Sequence, residues 1–480
     1  MLRRDFLKAA GAAAAPALAK ATRRPNILYI MADDHAAHAI SAYGSTIVET
    51  PNIDRIGRDG VRLDNCFCTN SICTPSRAVI LTGQYSHVNG VKTLNDPLDP
   101  ARQNVAKLLQ AGGYATAMIG KWHLHKEPTG FDYWNILPGQ GAYYDPEFIE
   151  MGQPKKHQGY CTDLITDFSV NWLKQRPKDK PFFLMCHHKA PHRPWQPGPE
   201  HKFDFAAQTM EEPVTLYDHY ENRSEAARRA TMRVGESMAK TDVKIDIPPE
   251  LRGDDLRKWG YHRYIRDYLR CIESVDDGVG KLLNHLSQEE LDENTIVIYT
   301  SDQGFFLGDH GWFDKRFMYE ESLRMPFLIR YPKEIEHGIN RDMILNLDFA
   351  ETFLDYAGLP IPSDMQGRSF RQNLRGKTPK DWRKSMYYRY WMHLADHNVA
   401  AHYGVRTERY KLIYYYGKAL GTSGSIDKDT PPEWELFDLL KDPRELNNVY
   451  ADPAYQKTVV DLKAMMDRMQ KEYGDQPCPS

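Results

Sequence analysis

Residues 26–35 have the sequence NILYIMADDH, an apolar run that ends in two aspartates and a histidine. The same pattern recurs in ATAMIGKWH at 115–123, FFLMCHHKAPH at 182–192 and TIVIYTSDQG at 295–304. Such runs are typical of strands that are covered on both faces of a sheet. Because segments with helical periodicity separate them, the pattern predicts an α/β fold with a mainly parallel sheet sandwiched by helices.

The polar residues after these strands are expected to meet at one edge of the sheet, since ligands bind beyond the carboxyl ends of parallel strands. Asp33, Asp34, Asp302 and Gln303 would lie together there if the chain turns at the adjacent aspartates. Carboxylate and amide oxygens suit Ca²⁺ or Mg²⁺. Either pair alone would be more typical of a capped helix or a solvated loop, but two pairs at one edge favour a metal site.

Residues 73–83 have the sequence CTPSRAVILTG. Pro75 fits the first turn of a helix, and Gly83 fits its end. Cys73 is therefore expected at a helix N-terminus, where the helix dipole favours negative charge, with Arg77 about one turn further on. From the residues alone, two interpretations are open: an activated thiolate, or a buried and inert cysteine.

The chain departs from the alternating pattern in two places. Residues 200–255 are rich in charge, have a poor apolar pattern and predict an insertion or surface excursion. Between 387 and 415, three short tyrosine-rich runs predict antiparallel strands, and an amphipathic helix is expected at about 453–473. The predicted divisions of the chain are a signal peptide at 1–19, a catalytic domain at 24–378 and a smaller C-terminal α+β subdomain at 379–480.

The N-terminal residues predict an export signal. Arg3 and Arg4 precede Phe-Leu-Lys and an alanine-rich apolar stretch, and residues 17–19 offer small side chains for cleavage. The whole run is typical of a twin-arginine signal, with an ordinary secretory signal as the alternative. The apolar part is too short for a stable membrane span. We therefore expect an exported bacterial protein of the periplasm or the extracellular space.

The amino-acid composition argues against a nucleic-acid-binding protein and against a zinc site. With 62 basic and 65 acidic residues the net charge is −3, which does not indicate a nucleic-acid partner. The seven cysteines show no zinc-site spacing. An odd number of cysteines in an exported protein leaves at least one thiol unpaired or one cysteine chemically converted.

The CTPSR run followed by Leu-Thr-Gly resembles the signature of the type I, formylglycine-dependent sulfatases of the alkaline phosphatase superfamily. In that family a separate enzyme oxidises the signature cysteine to formylglycine. The likeness covers nearly the whole mature chain and includes the runs at 33–34, 50–54, 120–123, 301–304 and 435–443. It implies an alkaline-phosphatase-like α/β domain, a smaller C-terminal domain and a sulfuric ester hydrolase.

The resemblance also implies a metal centre and a nucleophile. Cys73, as formylglycine, would be the nucleophile, and Arg77 would orient it and compensate its charge. The partner for this conversion would be a formylglycine-generating enzyme or an anaerobic sulfatase-maturing enzyme. Calcium would be held by a ligand set made of Asp33, Asp34, residue 73, Asp302 and Gln303.

Four further residues would act on the substrate, again by resemblance. Lys121 and Lys315 would bind the nonbridging sulfate oxygens. His123 would act as the base that releases the sulfate, and His192 would protonate the leaving alcohol. Many relatives have asparagine where this chain has Gln303, which keeps the amide oxygen but adds a methylene group.

His310 has two open interpretations. It follows the fourth strand in the run GDHGWFDK at 308–315, so it could approach the sulfate or the sugar. The alternative is a loop histidine that hydrogen-bonds to the backbone.

Two other functions compete with a sulfatase. One is a phosphate or phosphonate ester hydrolase of the same superfamily, although a cysteine in this context and ligands for one hard cation argue against it. The other is a catalytically inactive glycan-binding relative, although every matching catalytic position is filled.

The substrate is expected to be a sulfated carbohydrate. The run at 314–322 resembles bacterial polysaccharide sulfatases that act on glucosamine 6-sulfates or on algal glycans such as ulvan. The candidate sugar contacts are Trp134, Tyr143, Tyr144, Trp195, Arg316 and His402. Each of them could equally serve in packing.

Overall fold

The computed structural model describes residues 24–201 and 210–478. Within these ranges the strands are β1 Asn26–Ala32, β2 Val61–Leu63, β3 Cys66–Phe67, β4 Ala115–Lys121, β5 Tyr133–Leu137, β6 Glu147–Glu150, β7 Gln153–Lys156, β8 Phe182–His187, β9 Thr295–Ser301, β10 Phe327–Arg330, β11 Gly338–Asn340, β12 Ile344–Leu345, β13 Ser385–Tyr390, β14 His402–Thr407, β15 Tyr410–Tyr415 and β16 Glu433–Asp438. The α-helices there are α1 Pro51–Arg58, α2 Cys73–Thr82, α3 Ser86–Asn89, α4 Val105–Ala111, α5 Cys161–Gln175, α6 Glu225–Arg229, α7 Lys240–Val243, α8 Gly253–Gln288, α9 Glu320–Leu323, α10 Phe349–Ala357, α11 Arg371–Leu374 and α12 Gln456–Tyr473.

The main sheet has ten strands in the order β11-β2-β10-β9-β1-β8-β4-β5-β6-β7. Its centre consists of the four predicted strands, which are neighbours and parallel: β9 pairs with β1, β1 with β8, and β8 with β4. All four are buried along their whole length. The predicted α/β fold is therefore confirmed.

The flanks of the sheet add strands that the apolar pattern does not reveal. At one edge β10 runs antiparallel to β9 and to β2, and at the other β6 runs antiparallel to β5 and β7. These strands are short, and β7 is exposed throughout. Their place depends on pairing with partners that are distant in sequence, so local periodicity carries little signal for them.

Helices sandwich the sheet in two groups. In one group α8 packs against α1 and α5, and in the other α10 packs against α2 and α4. The ring of Tyr29, on β1, contacts the rings of Phe349 and Phe353 on α10, with centroids 6.4 and 5.5 Å away. The segment with helical periodicity before the fourth central strand, at 272–286, forms the C-terminal half of α8, which has 36 residues.

Residues 210–252 contain only two short helices, α6 and α7, within the described part of the chain. This agrees with the predicted insertion between the third and fourth central strands.

A second, four-stranded antiparallel sheet, β13-β14-β15-β16, lies in the C-terminal part of the chain, followed by α12. Three of its strands match the predicted tyrosine-rich runs, while β16 was not expected as a strand. The sheet is joined to the first part of the chain by buried hydrogen bonds. The Tyr388 hydroxyl donates to the Arg316 carbonyl at 2.6 Å and accepts from the Ser71 amide at 3.1 Å.

The predicted signal peptide at 1–19 lies outside the described residues. Among the helices of residues 24–201 and 210–478, none combines the length and apolar character needed to cross a bilayer.

Candidate active site

The carboxyl ends of the central strands surround a cavity of about 330 Å³ with Cys73 in its wall. Residues from the strand ends, from the start of α2 and from the C-terminal part of the chain meet here. The lining residues are Ile72, Cys73, Leu94, Gln140, His192, Arg193, Asp314, Lys315, Arg316, Asp396 and His397.

Three buried carboxylates converge at this edge. Each of Asp33, Asp34 and Asp302 places an oxygen within 4.8 Å of the other two. Asp34 has a φ of 65°, so the chain turns between the two adjacent aspartates as expected, and both carboxylates reach the same place. The Gln303 amide nitrogen donates to Asp34 Oδ1 at 2.5 Å. Its Oε1 is buried and accepts no hydrogen bond from the described residues, so this oxygen is available to a ligand.

Bringing three carboxylates together in a buried place raises the pKa of two of them. Burial raises the pKa of Asp34 to about 7 and that of Asp302 to about 6. Burial also acts on Asp33, but the charges of Lys121 and Arg77 hold its pKa well below the ordinary value. Three hard oxygen donors and an unused amide oxygen fit a hard divalent cation, which would relieve the repulsion between the carboxylates.

Cys73 is the first residue of α2, which confirms the predicted helix start. Its thiol lies 3.5 Å from Asp33 Oδ1 and is only 1% exposed. Burial, and then the charge of Asp33, raise the pKa of this thiol well above its ordinary value. Of the two interpretations left open by the residues, these surroundings favour the buried, neutral thiol for the unmodified side chain.

Arg77 is anchored one turn further along α2. Its Nε and Nη2 donate to Asp302 Oδ2 at 3.1 and 3.0 Å, and Nη1 donates to the Lys121 carbonyl at 2.5 Å. The guanidinium lies 3.6 Å from Asp33 as well. Arg77 thus supplies fixed positive charge beside two members of the carboxylate cluster.

Two lysines flank the cluster. Lys121, at the end of β4, pairs with Asp33 and donates to Gln140 Oε1 at 2.5 Å. Lys315 Nζ donates to both oxygens of Asp34, at 2.6 and 2.7 Å. Both side chains are buried; Lys315 lines the cavity, whereas Lys121 lies behind its wall and contacts the lining residue Gln140.

The two predicted acid–base histidines lie on the same edge but in different surroundings. Nδ1 of His192 donates to the Arg193 carbonyl at 2.7 Å, which leaves Nε2 3.7 Å from Asp34. Nδ1 of His123 is 3.3 Å from the Thr74 hydroxyl, whose hydrogen goes to the His123 carbonyl at 3.0 Å. Burial, and then Lys121, lower the pKa of both rings, to about 2 for His123. The lowered pKa favours the neutral ring in both cases, and Nε2 of each has no hydrogen-bond partner among the described residues.

His310 lies apart from the cavity. Its side chain is fully buried among aromatic rings, with Nδ1 3.1 Å from Asp218 and Nε2 3.6 Å from Glu321. It contributes nothing to the cavity wall. The structure therefore places it neither beside the sulfate site nor in simple contact with the backbone, but in a buried charge cluster.

Of the six candidate sugar contacts, only Arg316 lines the cavity. Trp134, Tyr143, Trp195 and His402 are buried, and Tyr144 is exposed elsewhere. Trp134, Tyr143 and Trp195 belong to the hydrophobic core, and His402 is buried among tyrosine rings, so packing is the interpretation that fits these four.

Several lining residues were missed by sequence reasoning. Because Arg193 directly follows His192 in the sequence, its place beside the cavity could have been predicted. Asp396 and His397 come from a turn in the C-terminal part of the chain, with a φ of 61° at His397. Nothing in the local sequence indicates that this turn reaches the cavity.

Comparison with protein families gives two matches. The model described as "Sulfatase" matches residues 25–359, and the model described as "N-sulphoglucosamine sulphohydrolase, C-terminal" matches residues 308–472.

Named relatives share most of the chain. An N-acetylglucosamine-6-O-sulfatase of Bacteroides thetaiotaomicron is 45% identical, over 95% of this chain and 88% of its own length. An ulvan-active sulfatase of Formosa agariphila is 26% identical, over 94% of this chain and 82% of its own length.

Solved structures share the fold. One, of a protein in complex with its substrate D-glucosamine-2-N,6-O-disulfate, has a TM-score of 0.89 and 44% identity, covering 94% of this chain and 98% of that chain. The phosphonate monoester hydrolase of Agrobacterium radiobacter has a TM-score of 0.73 and 20% identity, covering 94% and 96%. This second likeness concerns the fold alone.

Proposed function

Given that this chain belongs to the sulfatase family of the alkaline phosphatase superfamily and is a sulfuric ester hydrolase, we propose that it removes the 6-O-sulfate of a glucosamine residue in a sulfated glycan. The support is the relative that is 45% identical and named as an N-acetylglucosamine-6-O-sulfatase, together with the structure that holds a glucosamine disulfate. The likeness to an ulvan-active sulfatase is weaker, at 26% identity.

The observation that carries the proposal is the polar wall beside the carboxylate cluster. His397 Nε2 lies 2.6 Å from Asp314 Oδ2, and Arg316 Nη2 lies 3.6 Å from the same oxygen. Directly beside Asp314 in the chain, Lys315 contacts Asp34. A sulfate bound at the lysines would therefore place its alcohol part near donors and acceptors that suit sugar hydroxyls.

The metal centre and the nucleophile are part of the proposal. Asp33, Asp34, Asp302 and the free oxygen of Gln303 would hold calcium, with residue 73 as a further ligand. When bound, the cation would supply stabilisation of negative charge on the nucleophile and on a sulfate oxygen. After oxidation to formylglycine and addition of water to its aldehyde, residue 73 would supply a hydroxyl of the gem-diol as nucleophile in place of the neutral thiol.

The other residues of the proposed site bind the sulfate, orient the nucleophile or transfer protons. Lys121 and Lys315 bind nonbridging sulfate oxygens in a site from which water is largely excluded, where such contacts are strong. Arg77, fixed by Asp302, orients residue 73. His192 would protonate the leaving oxygen from Nε2 in its doubly protonated form, because Nδ1 keeps its own hydrogen for the Arg193 carbonyl; the neutral ring must first take up that second proton. His123, kept neutral by its surroundings, accepts a proton at Nε2 when sulfate is released.

Export and maturation complete the proposal. The run at 3–8 supports a twin-arginine signal and a periplasmic or extracellular location. A formylglycine-generating enzyme or an anaerobic sulfatase-maturing enzyme would convert Cys73. The divisions 24–378 and 379–480 remain our proposed domain boundaries.

The test is sulfate release from defined monosaccharides, measured by ion chromatography. We expect N-acetylglucosamine 6-sulfate to be the best substrate, ahead of the 3-sulfate of the same sugar and of galactosamine sulfates. Equal or faster release from another position would contradict the proposed substrate while leaving the sulfatase assignment intact.

A Cys73→Ala variant serves as the inactive control, because a methyl group fits the same space without a nucleophile. Mass spectrometry of the peptide that contains residue 73 should detect formylglycine in active wild-type preparations. Activity should fall on chelation and return with calcium. Full activity with an unmodified cysteine would disprove the nucleophile.

A further inference from the structure

We call the segments at 193, 313–316 and 396–397, most of whose residues line the cavity, its rim. One segment of the insertion, residues 229–244, contacts all three, and we call it the brace. Its Thr231 amide donates to the His397 carbonyl at 2.7 Å, and His397 Nδ1 donates back to the Thr231 carbonyl at 3.1 Å. The Phe313 amide donates to the Met232 carbonyl at 3.0 Å. The brace therefore contacts two rim segments that are far from it and from each other in sequence.

A third rim segment, at Arg193, is held by a side chain of the brace. Nε and Nη2 of Arg193 donate to the two oxygens of Asp242, at 3.1 and 2.5 Å. Asp242 is almost fully buried, whereas the Arg193 side chain is 30% exposed. Lys244 adds a hydrogen bond from Nζ to the Trp195 carbonyl at 2.6 Å. The guanidinium is thus fixed in a bidentate pair at the cavity wall.

The remaining nitrogen of this guanidinium is available. Among the described residues, Nη1 of Arg193 has no hydrogen-bond partner, and Arg193 lines the cavity. Its neighbour His192 contacts the carboxylate cluster, but Arg193 is drawn away from the cluster by Asp242. Lys315, which also lines the cavity, is paired with Asp34, whereas Arg193 is paired with Asp242, so a donor at Arg193 would meet a part of the substrate other than a sulfate bound at Lys315.

We propose that Arg193 is a specificity-determining residue that donates a hydrogen bond to an oxygen of the aminosugar other than the 6-sulfate, and that Asp242 is its positioning residue. The proposal rests on the proposed function, because it assumes a sugar in the cavity. It also gives the insertion a role: the brace orients a sugar-binding donor that lies 49 positions away from Asp242.

The test compares two substrates in four proteins: wild type, Arg193→Gln, Asp242→Asn and the double variant. One substrate is N-acetylglucosamine 6-sulfate, and the other is a small aryl sulfate without sugar hydroxyls. We expect each single variant to lower the ratio of kcat/KM for the sugar to that for the aryl sulfate by roughly tenfold, as expected for one lost hydrogen bond from a charged donor. The loss should appear mainly in KM.

The double variant separates positioning from general damage. If Asp242 acts through Arg193, Asp242→Asn should cause no further loss in the Arg193→Gln background. Asp246→Ala is the matched control, because it removes an exposed carboxylate three residues beyond the same short helix and should keep the wild-type ratio. Circular dichroism checks that each variant is folded.

Two results would overturn the proposal. An unchanged ratio in both single variants would exclude a sugar contact at Arg193, and fully additive losses would exclude positioning by Asp242. If the wild type hydrolyses the aryl sulfate but not the sugar sulfate, the proposed substrate and this inference both fail. If it hydrolyses both with unchanged ratios in the variants, this inference alone fails.

Discussion

His310 shows how a single buried residue can carry charge. Burial lowers its pKa, but pairing with Asp218 and then Glu321 outweighs burial and raises the pKa to about 9. The pKa values of Asp218 and Glu321 are lowered, which is consistent with an ion-paired cluster. The proton on His310 therefore contributes to the stability of the protein. His310 contacts neither the carboxylate cluster of the active site nor the cavity.

The stability of the protein should depend on this proton. The pKa of His310 is higher in the folded state than in the unfolded chain, so its contribution is complete below about pH 6.5 and is lost as the pH rises through about 9. The pKa difference corresponds to about 3 kcal/mol. The free energy of unfolding, measured in urea, should fall between these pH values in the wild type and much less in His310→Gln.

His219 offers a matched control for this measurement, because its ring is 60% exposed beside Asp254. His219→Gln should reproduce the wild-type decline. A decline of equal size in His310→Gln would show that other groups cause it.

At the scale of elements, α8 caps the start of α1. Both carboxylate oxygens of Asp276 accept from the Asn52 amide, at 3.0 and 3.1 Å, and Oδ1 also accepts from the Ile53 amide at 2.8 Å. Gly280 allows the close approach, since a Cβ there would lie 2.7 Å from the Asn52 side chain. The unpaired amides of the α1 N-terminus are thus satisfied by a carboxylate from another helix, which also matches the helix dipole.

Asp276→Ala should lower the free energy of unfolding by about 1–2 kcal/mol, because buried amides lose their acceptor. Asp277→Ala, at a 67% exposed neighbour, is the control and should cost less. Chemical denaturation measures both. Sulfate release at saturating substrate should persist in the folded fraction, since neither residue lines the cavity. Equal losses in the two variants would refute the capping role.

The elements that sequence could predict are those with a strong local signal. The four central strands and α2 were predicted because long apolar runs and a Pro75 start leave few alternatives. The carboxylate cluster followed from the shared edge of parallel strands. The arrangement of the rim could not be predicted from the sequence. Its contacts, such as those of Arg193 with Asp242 and of His397 with Asp314, join segments that are far apart in the chain.

At the scale of the whole molecule, a buried ion-pair cluster connects the C-terminal sheet with the first part of the chain. Lys411, on β15, lies 2.5 Å from Glu445 and 3.0 Å from Glu320, the first residue of α9. Arg406, on β14, donates to both oxygens of Glu320 at 2.7 and 3.0 Å. Because α9 follows the segment that carries Lys315, this cluster connects the C-terminal sheet to the catalytic edge.

Lys411→Met should therefore be severely destabilising. It leaves Glu445 buried without its partner, a change that typically costs about 3–5 kcal/mol. Urea unfolding measures the loss. Lys457→Met, which removes an 87% exposed lysine from α12, is the control and should change stability by less than about 1 kcal/mol. A small effect of Lys411→Met would show that the cluster does not couple the two sheets.

The burial of Cys73 sets an order of events in the life of the chain. Its side chain is only 1% exposed beneath residues that come from both ends of the sequence. If an enzyme converts Cys73 as proposed, it needs access to a side chain that the folded protein buries, so the conversion would have to precede the docking of α2 on the sheet. Oxidation and folding would then compete for the same newly made polypeptide, and a molecule that folds first would keep its thiol. The fraction of active protein would measure how often oxidation came first.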